Sequence, residues 1–157
     1  MLVISVAGDY ESRELMETRL AAEISADQAQ ALASFAVLGR RTPLTRTRLE
    51  TAILSRRFDA VLLVRQKGQE RADLVANRPV GQRFDLFGYD YAELNFAESI
   101  KQAPSITFVT EIYSAEDHKK VWAVDSLSFD KETATDLIIE QAATIASQIR
   151  NDGVLLQ

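Results

Sequence analysis

The run Ala-Val-Leu-Leu-Val at residues 60–64 decides the fold, because it is continuously apolar and has Asp59 before it and Arg65 after it. A short apolar run bounded by charge predicts a strand that is buried on both faces, as the central strands of parallel sheets are. Working outward from this run, residues 2–7 and 31–38 predict two further strands. A helical pattern precedes residues 31–38, and a second one precedes residues 60–64. The first part of the chain therefore predicts the order β-α-β-α-β.

The first helix is expected after the turn at Gly8-Asp9, with Ser12 as its capping residue. Two pairs at i,i+4 spacing, Arg13/Glu17 and Arg19/Glu23, are expected on its solvent side. Its apolar side is predicted to consist of Leu15, Met16, Leu20 and Ile24.

In the second strand, residues 31–38, Phe35 and Val37 are expected on one face and Gly39 is expected to end the strand. The second helix is predicted over residues 45–57, since Thr47 and Glu50 have the spacing of a capping box. Its apolar stripe is predicted to be Leu49, Ile53 and Leu54.

Residues 105–114 and 120–129 are rich in β-branched and aromatic side chains and flank a polar turn, which predicts an antiparallel hairpin. Asp130 is expected to cap a final helix that stops at Asn151-Asp152-Gly153. Its apolar positions are Leu137, Ile138, Ala142, Ile145 and Ile149.

These elements predict the α/β class, with three parallel strands and an antiparallel hairpin in one mixed sheet of two or three layers, β-α-β-α-β-(insertion)-β-β-α. Residues 1–157 are expected to form a single domain. The insertion at residues 68–104 lacks regular patterning but holds five of the aromatic residues, so part of it is expected to pack onto the body.

Composition excludes several classes of protein. The net charge is −5, which disfavours nucleic acid and anionic lipid as partners. The chain has no cysteine and one histidine, His118, which argues against thiolate zinc sites, disulfides and histidine-based catalysis. No apolar run approaches the roughly 20 residues that span a bilayer. We expect a soluble, non-enzymatic domain that needs no cofactor or metal.

Three residues mark a candidate ligand mouth, because Asp9, Glu11 and Ser12 follow the first strand, where α/β sheets commonly bind ligands. The glycine spacing of a phosphate-binding loop is missing, so turn and capping roles are favoured. The alternative function, a small-molecule-binding domain or hydrolase, would use these carboxylates together with those of the insertion.

The insertion offers a candidate partner surface, since loops on a rigid sheet are where binding residues concentrate. Tyr89 and Tyr91 alternate with Asp90 and are expected to keep an exposed edge, next to Phe87. Trp122, in the hairpin, is interpreted as a core residue rather than a carbohydrate platform.

Two segments resemble a known group of proteins. Arg-Phe-Asp-Ala-Val-Leu-Leu-Val at residues 57–64 resembles the helix-to-strand passage of small bacterial cell-envelope lipoproteins, and Ile-Tyr-Ser-Ala-Glu-Asp-His-Lys-Lys-Val-Trp-Ala at residues 112–123 resembles their hairpin. The architecture is similar to the amino-terminal domain of TolB and to LpoB-like outer-membrane lipoproteins.

This resemblance implies a domain that faces the periplasm or is tethered to the outer membrane, with an upstream lipid anchor as its only link to a membrane. If no leader was trimmed before Met1, the resemblance is weakened and a cytoplasmic location is expected. The implied function is binding of a protein or envelope component through the insertion or an exposed strand edge. The sequence leaves the oligomeric state open.

Overall fold

The computed structural model describes residues 1–6, 9–26, 29–42, 44–67, 105–129 and 131–156. Within them the chain forms five strands, four α-helices and a closing 3-10 turn. The strands are β1 (Leu2–Ser5), β2 (Leu32–Ala33), β3 (Ala60–Gln66), β4 (Ser105–Ser114) and β5 (Lys120–Phe129). The helices are α1 (Tyr10–Ser25), α2 (Ser34–Leu38), α3 (Arg46–Arg56) and α4 (Ala134–Asn151), and the 3-10 turn is Val154–Leu156.

The five strands form one mixed sheet in the order β2-β1-β3-β4-β5. β1 is parallel to both β2 and β3, whereas β3 pairs antiparallel with β4, and β4 antiparallel with β5. The predicted α/β class, with parallel strands that continue into an antiparallel hairpin, is confirmed. The first strand and the run at 60–64 are neighbours, and the side chains of residues 61–64 are completely buried, as the apolar run predicted.

Helices lie on both faces of the sheet, which makes three layers. On one face, α1 and α4 bury an apolar cluster against alternate residues of the strands; it includes Met16, Leu20, Leu62, Phe108 and Ile145. On the other face, α3 packs against the remaining residues of β1 and β3; that cluster includes Leu2, Ile4, Leu49, Ile53 and Leu63. The apolar stripe predicted for α4 is buried along its whole length.

The predicted strand at 31–38 is wrong beyond its first residues. Only Leu32 and Ala33 pair with β1, and the chain then turns into the short helix α2. An eight-residue, mostly apolar segment can form a strand or a helix, and here the start of α2 is held by α1, since the backbone N–H of Phe35 donates to the Glu17 carboxylate (3.0 Å). Tertiary hydrogen bonding therefore overrides the alternation in the sequence.

The predicted capping residues shift by a few positions at each helix. The side chain of Asp9, rather than Ser12, caps α1 by accepting the N–H of Ser12 (2.8 Å). Thr45 caps α3, so the capping box predicted at Thr47 is wrong. Thr133 caps α4, while Asp130 lies outside the described residues. In each case the capping residue is the last one with extended backbone angles, which is what the capping geometry requires.

Gly39 ends α2 with φ +102° and ψ +147°, a conformation that is almost restricted to glycine. A Cβ at this position would lie 2.6 Å from Thr42 Oγ1. We expect Gly39→Ala to lower the free energy of unfolding by about 1–3 kcal/mol, measured by urea denaturation. Gly153→Ala is the matched control, because Gly153 also has positive φ but open space around it, and its loss should be smaller. Equal losses would contradict the steric argument.

Candidate functional site

A buried ion pair lies at the carboxyl end of β1, the strand after which a ligand mouth was predicted, and next to the end of β2. Arg13 Nε donates to Glu17 Oε1 (2.9 Å), and both side chains are inaccessible to solvent. Ser34 Oγ accepts from Arg13 Nη2 and donates to Glu17 Oε1, each at 2.7 Å. Glu17 also accepts the backbone N–H groups of Ser5 (2.9 Å) and Phe35 (3.0 Å). The prediction that Arg13 and Glu17 face solvent is wrong.

We call Arg13, Glu17 and Ser34 the buried ion-pair cluster. Its hydrogen bonds join α1 to the end of β1 and to the start of α2. The charged groups of Arg13 and Glu17 therefore have a structural role, which is to hold three elements together. Of the predicted mouth residues, Asp9 caps α1, Ser12 is buried, and Glu11 is exposed on the first turn. Whether Asp9, Glu11 and Ser12 bind a ligand stays a prediction.

β5 is the outermost strand at one side of the described sheet and is ten residues long, whereas β2 at the opposite side has two residues. Three apolar side chains of β5 are strongly exposed: Val121 (61%), Leu127 (53%) and Phe129 (69%). A long edge strand with exposed apolar side chains is a template for adding another strand. We call this feature the β5 edge.

A bulge marks the start of the β5 edge. Tyr113 pairs with Lys120 and Ile112 pairs with Trp122, so Val121 has no counterpart on β4. Beyond the bulge the alternation is regular, and Trp122 lies on the α4 side of the sheet opposite Ile112, where it packs against the first apolar cluster and remains half-buried. The prediction that Trp122 is a core residue is therefore only partly correct.

Trp122 forms one wall of a cleft of about 600 Å³, which we call the Trp122 cleft. Trp122 Nε1 donates to Asp152 Oδ2, and Gln148 Nε2 donates to Asp152 Oδ1, both at 2.9 Å. Asp152 is the C-cap residue that follows the last residue of α4. The indole is thereby fixed by a carboxylate at a helix C-terminus, and the cleft has the size of ordinary small-ligand sites.

A second carboxylate, Asp59, also lines the Trp122 cleft. Burial by itself raises the pKa of Asp59. The α-ammonium of Met1, 3.3 Å from Oδ1, and the N–H groups of Asp59 and Ala60 outweigh it and hold that pKa below its ordinary value. Among the twelve described residues that line this cleft none is lysine or arginine, so the side-chain charge that they contribute is negative.

Another carboxylate, Glu111, lies buried on the opposite face of the hairpin. It accepts from Tyr113 Oη (2.9 Å) and from Lys120 Nζ (3.1 Å), and Arg65 Nε is 3.6 Å away. Its negative charge is thus surrounded by two cations. These contacts link β3, β4 and β5 close to the turn of the hairpin.

His118 lies in the polar turn of the hairpin, as predicted, with φ +59° and a half-buried side chain. Its neighbour Asp117 accepts hydrogen bonds from the side chain and backbone N–H of Lys119 and from Ser114, which lower the pKa of Asp117 to about 2. These hydrogen bonds link residues 114, 117 and 119 across the turn.

The predicted partner surface at Phe87, Tyr89, Asp90 and Tyr91 lies outside the described residues and stays a prediction. In the part of the chain that the structure describes, no three histidine, aspartate or glutamate side chains are grouped so as to hold a metal ion. No helix in that part is long and apolar enough to cross a membrane.

Sequence reasoning missed the Trp122 cleft. Trp122 and Asp152 are 30 residues apart and belong to different elements, so no local motif joins them. The only available signal was a lone tryptophan at the start of the predicted second hairpin strand, combined with an aspartate in the predicted stop of the last helix.

Comparison with known proteins shows the fold alone. No protein-family model matches the sequence, and no curated protein matches it. The chain is structurally similar to PelC of Paraburkholderia phytofirmans, solved as a dodecamer in two crystal forms, one of a point variant. Each match has a TM-score of 0.51 and 10% identity and covers 93% of this chain, with 85% and 84% of PelC covered.

A lipoprotein of Neisseria meningitidis, GNA1162, gives a TM-score of 0.47 at 12% identity, covering 96% of this chain and 95% of that chain. At that score the likeness carries no argument about this chain. The sequence resemblance to the TolB amino-terminal domain and to LpoB-like proteins stays a prediction.

Proposed function

We propose that this chain is a non-enzymatic binding domain of the bacterial cell envelope that holds an extended segment of a protein partner along the β5 edge. The observation that carries the proposal is the ten-residue outer strand with its exposed Leu127 and Phe129. Added strands gain main-chain hydrogen bonds from such an edge and side-chain contacts from the residues beside it.

Two further observations support binding rather than catalysis. The polar groups at the carboxyl ends of β1 and β2 are used within the buried ion-pair cluster. The exposed apolar side chains of Leu127 and Phe129 are two residues apart on one strand and so lie on the same face, as residues of an interface do. The envelope location is proposed from the resemblance of residues 57–64 and 112–123 to envelope lipoproteins.

The test is photo-crosslinking from the β5 edge in cells. A photoreactive amino acid at the exposed position 123 should give a discrete adduct, and Leu127→Glu/Phe129→Glu in the same chain should reduce it about tenfold or more. Both replaced side chains are exposed, so the free energy of unfolding should change by no more than about 0.5 kcal/mol.

Leu54→Glu is the matched control, because Leu54 is 77% exposed but lies on α3, away from the hairpin. It should leave the adduct unchanged. An adduct that survives Leu127→Glu/Phe129→Glu, or one that falls equally with Leu54→Glu, would rule out the β5 edge as the binding surface.

Self-association is a second candidate, favoured by the shared fold with PelC, which is a dodecamer in its crystals. In that case the adduct contains peptides of this chain only. The mass of the purified chain by light scattering should then exceed the 17.5 kDa of one copy and fall to it in the Leu127→Glu/Phe129→Glu variant.

A further inference from the structure

We infer that the Trp122 cleft receives a basic side chain, arginine or lysine, from the strand that adds to the β5 edge. The inference rests on the proposed function and names the chemistry that the partner segment must carry. It joins two features that lie side by side, since Val121 and Trp122 belong to the edge strand and also line the cleft.

The register of the sheet places one partner residue at the cleft. Trp122 pairs with Ile112 on its inner side, and its outer side is the edge of the described sheet. A strand added there would set one residue directly opposite Trp122 on the same face, with Cβ atoms about 4.5–5.5 Å apart. The side chain of that residue has the indole as its nearest neighbour.

The charge of the cleft selects a cation at this position. Asp152 is exposed, and each of its oxygens accepts one hydrogen bond, from Trp122 or Gln148, and has a further lone pair. It lies at the C-terminus of the 18-residue α4, where the helix dipole also favours positive charge. Asp152 is the carboxylate hydrogen-bonded to the indole itself, so it is the acid that a basic side chain placed opposite Trp122 would meet.

The indole adds a second attraction. A guanidinium or ammonium group over the face of tryptophan is stabilised by the ring quadrupole, and a ring held in place loses little freedom when the cation binds. Trp122 is held by its hydrogen bond to Asp152 and by packing against the first apolar cluster. Ring and carboxylate together form a site for one cation.

A sugar is the competing occupant, since tryptophan and carboxylates also bind pyranose rings. The observations favour the basic side chain for two reasons. The cleft opens beside a strand edge along which an extended chain would run, and the helix C-terminus adds a negative field from which a neutral sugar gains little.

Trp122 is the single tryptophan, so its fluorescence reports on the cleft directly. The probes are three seven-residue peptides of alternating threonine and valine, with arginine, citrulline or norleucine at the centre, each carrying a distant label for anisotropy. We expect the arginine peptide to change Trp122 fluorescence and to bind about tenfold more tightly than the citrulline peptide at low salt. The preference should shrink as salt rises.

Asp152→Asn should remove the arginine preference, because asparagine can still accept from Trp122 but carries no charge. Glu132→Gln, which removes an exposed carboxylate from the loop before α4, is the matched control and should preserve the preference. Equal binding of all three peptides would overturn the basic-side-chain inference and leave edge binding intact.

Two other outcomes also overturn the inference. One is no binding of any peptide; the photo-crosslinking experiment then decides separately whether the β5 edge binds a partner at all. The other is an Asp152-dependent fluorescence change with a trisaccharide of N-acetylglucosamine and none with the peptides, which would make the cleft a sugar site.

Discussion

Glu17→Gln is expected to lower the free energy of unfolding by about 3–5 kcal/mol, because it leaves the guanidinium of Arg13 buried without a counter-charge. The replacement also puts an amide NH₂ where one carboxylate oxygen accepts hydrogen bonds. In the unsubstituted protein the backbone N–H groups of Ser5 and Phe35 are among the donors to that carboxylate. Equilibrium urea denaturation followed by far-ultraviolet circular dichroism measures the loss.

Arg13→Met should cost less, about 1–3 kcal/mol, since Glu17 then keeps the hydrogen bonds from Ser5, Phe35 and Ser34. Which of the two variants loses more stability is the sharper test, because the answer depends on which residue of the pair is hydrogen-bonded to the backbone. Glu14→Gln is the control: its partner Arg40 is largely exposed, so the change should stay within about 0.5 kcal/mol. A Glu17→Gln loss no larger than that of the control would contradict the role given to the buried ion-pair cluster.

The same cluster shows why part of the sequence was misread. Arg13 and Glu17 have i,i+4 spacing, and that spacing is the same for a pair on a wet surface and for a pair in the interior. Charged side chains are rarely buried unless paired, so the solvent side was the natural prediction. What decides the outcome is distant in sequence: Ser5 precedes the pair, and Ser34 and Phe35 follow it, supplying donors that a single helix does not reveal.

The parts that could be predicted carry a clear local signal. The run at 60–64 is continuously apolar, the hairpin at 105–129 is rich in β-branched and aromatic residues, and the α4 stripe has helical spacing; each is confirmed. Residues 31–38 are short and apolar without a period long enough to choose between strand and helix. The candidate site could not be predicted either, because the Trp122 cleft is assembled by the sheet and by the end of α4.

α3 offers the second large effect, through two adjacent residues that the sequence placed on one stripe. Ile53 is buried in the cluster beneath α3, whereas Leu54 is 77% exposed, so the prediction that both are core residues is wrong for Leu54. Successive residues of an α-helix are about 100° apart, and once Leu49 and Ile53 define the buried side, Leu54 is turned away from it.

We therefore expect Ile53→Ala to lower the free energy of unfolding by about 2–5 kcal/mol, since it removes three methyl or methylene carbons from a packed cluster and leaves a cavity. Leu54→Ala deletes a side chain of similar size one residue later, where it contacts little, and should change stability by no more than about 0.5 kcal/mol. Both free energies of unfolding are measured by urea denaturation, and the curves are fitted with one shared m-value, the slope of the free energy against urea concentration. Alanine has a slightly higher helix propensity than isoleucine, so helix propensity cannot cause the loss of stability at Ile53. Similar losses at the two positions would mean that α3 is rotated about its axis relative to this structure.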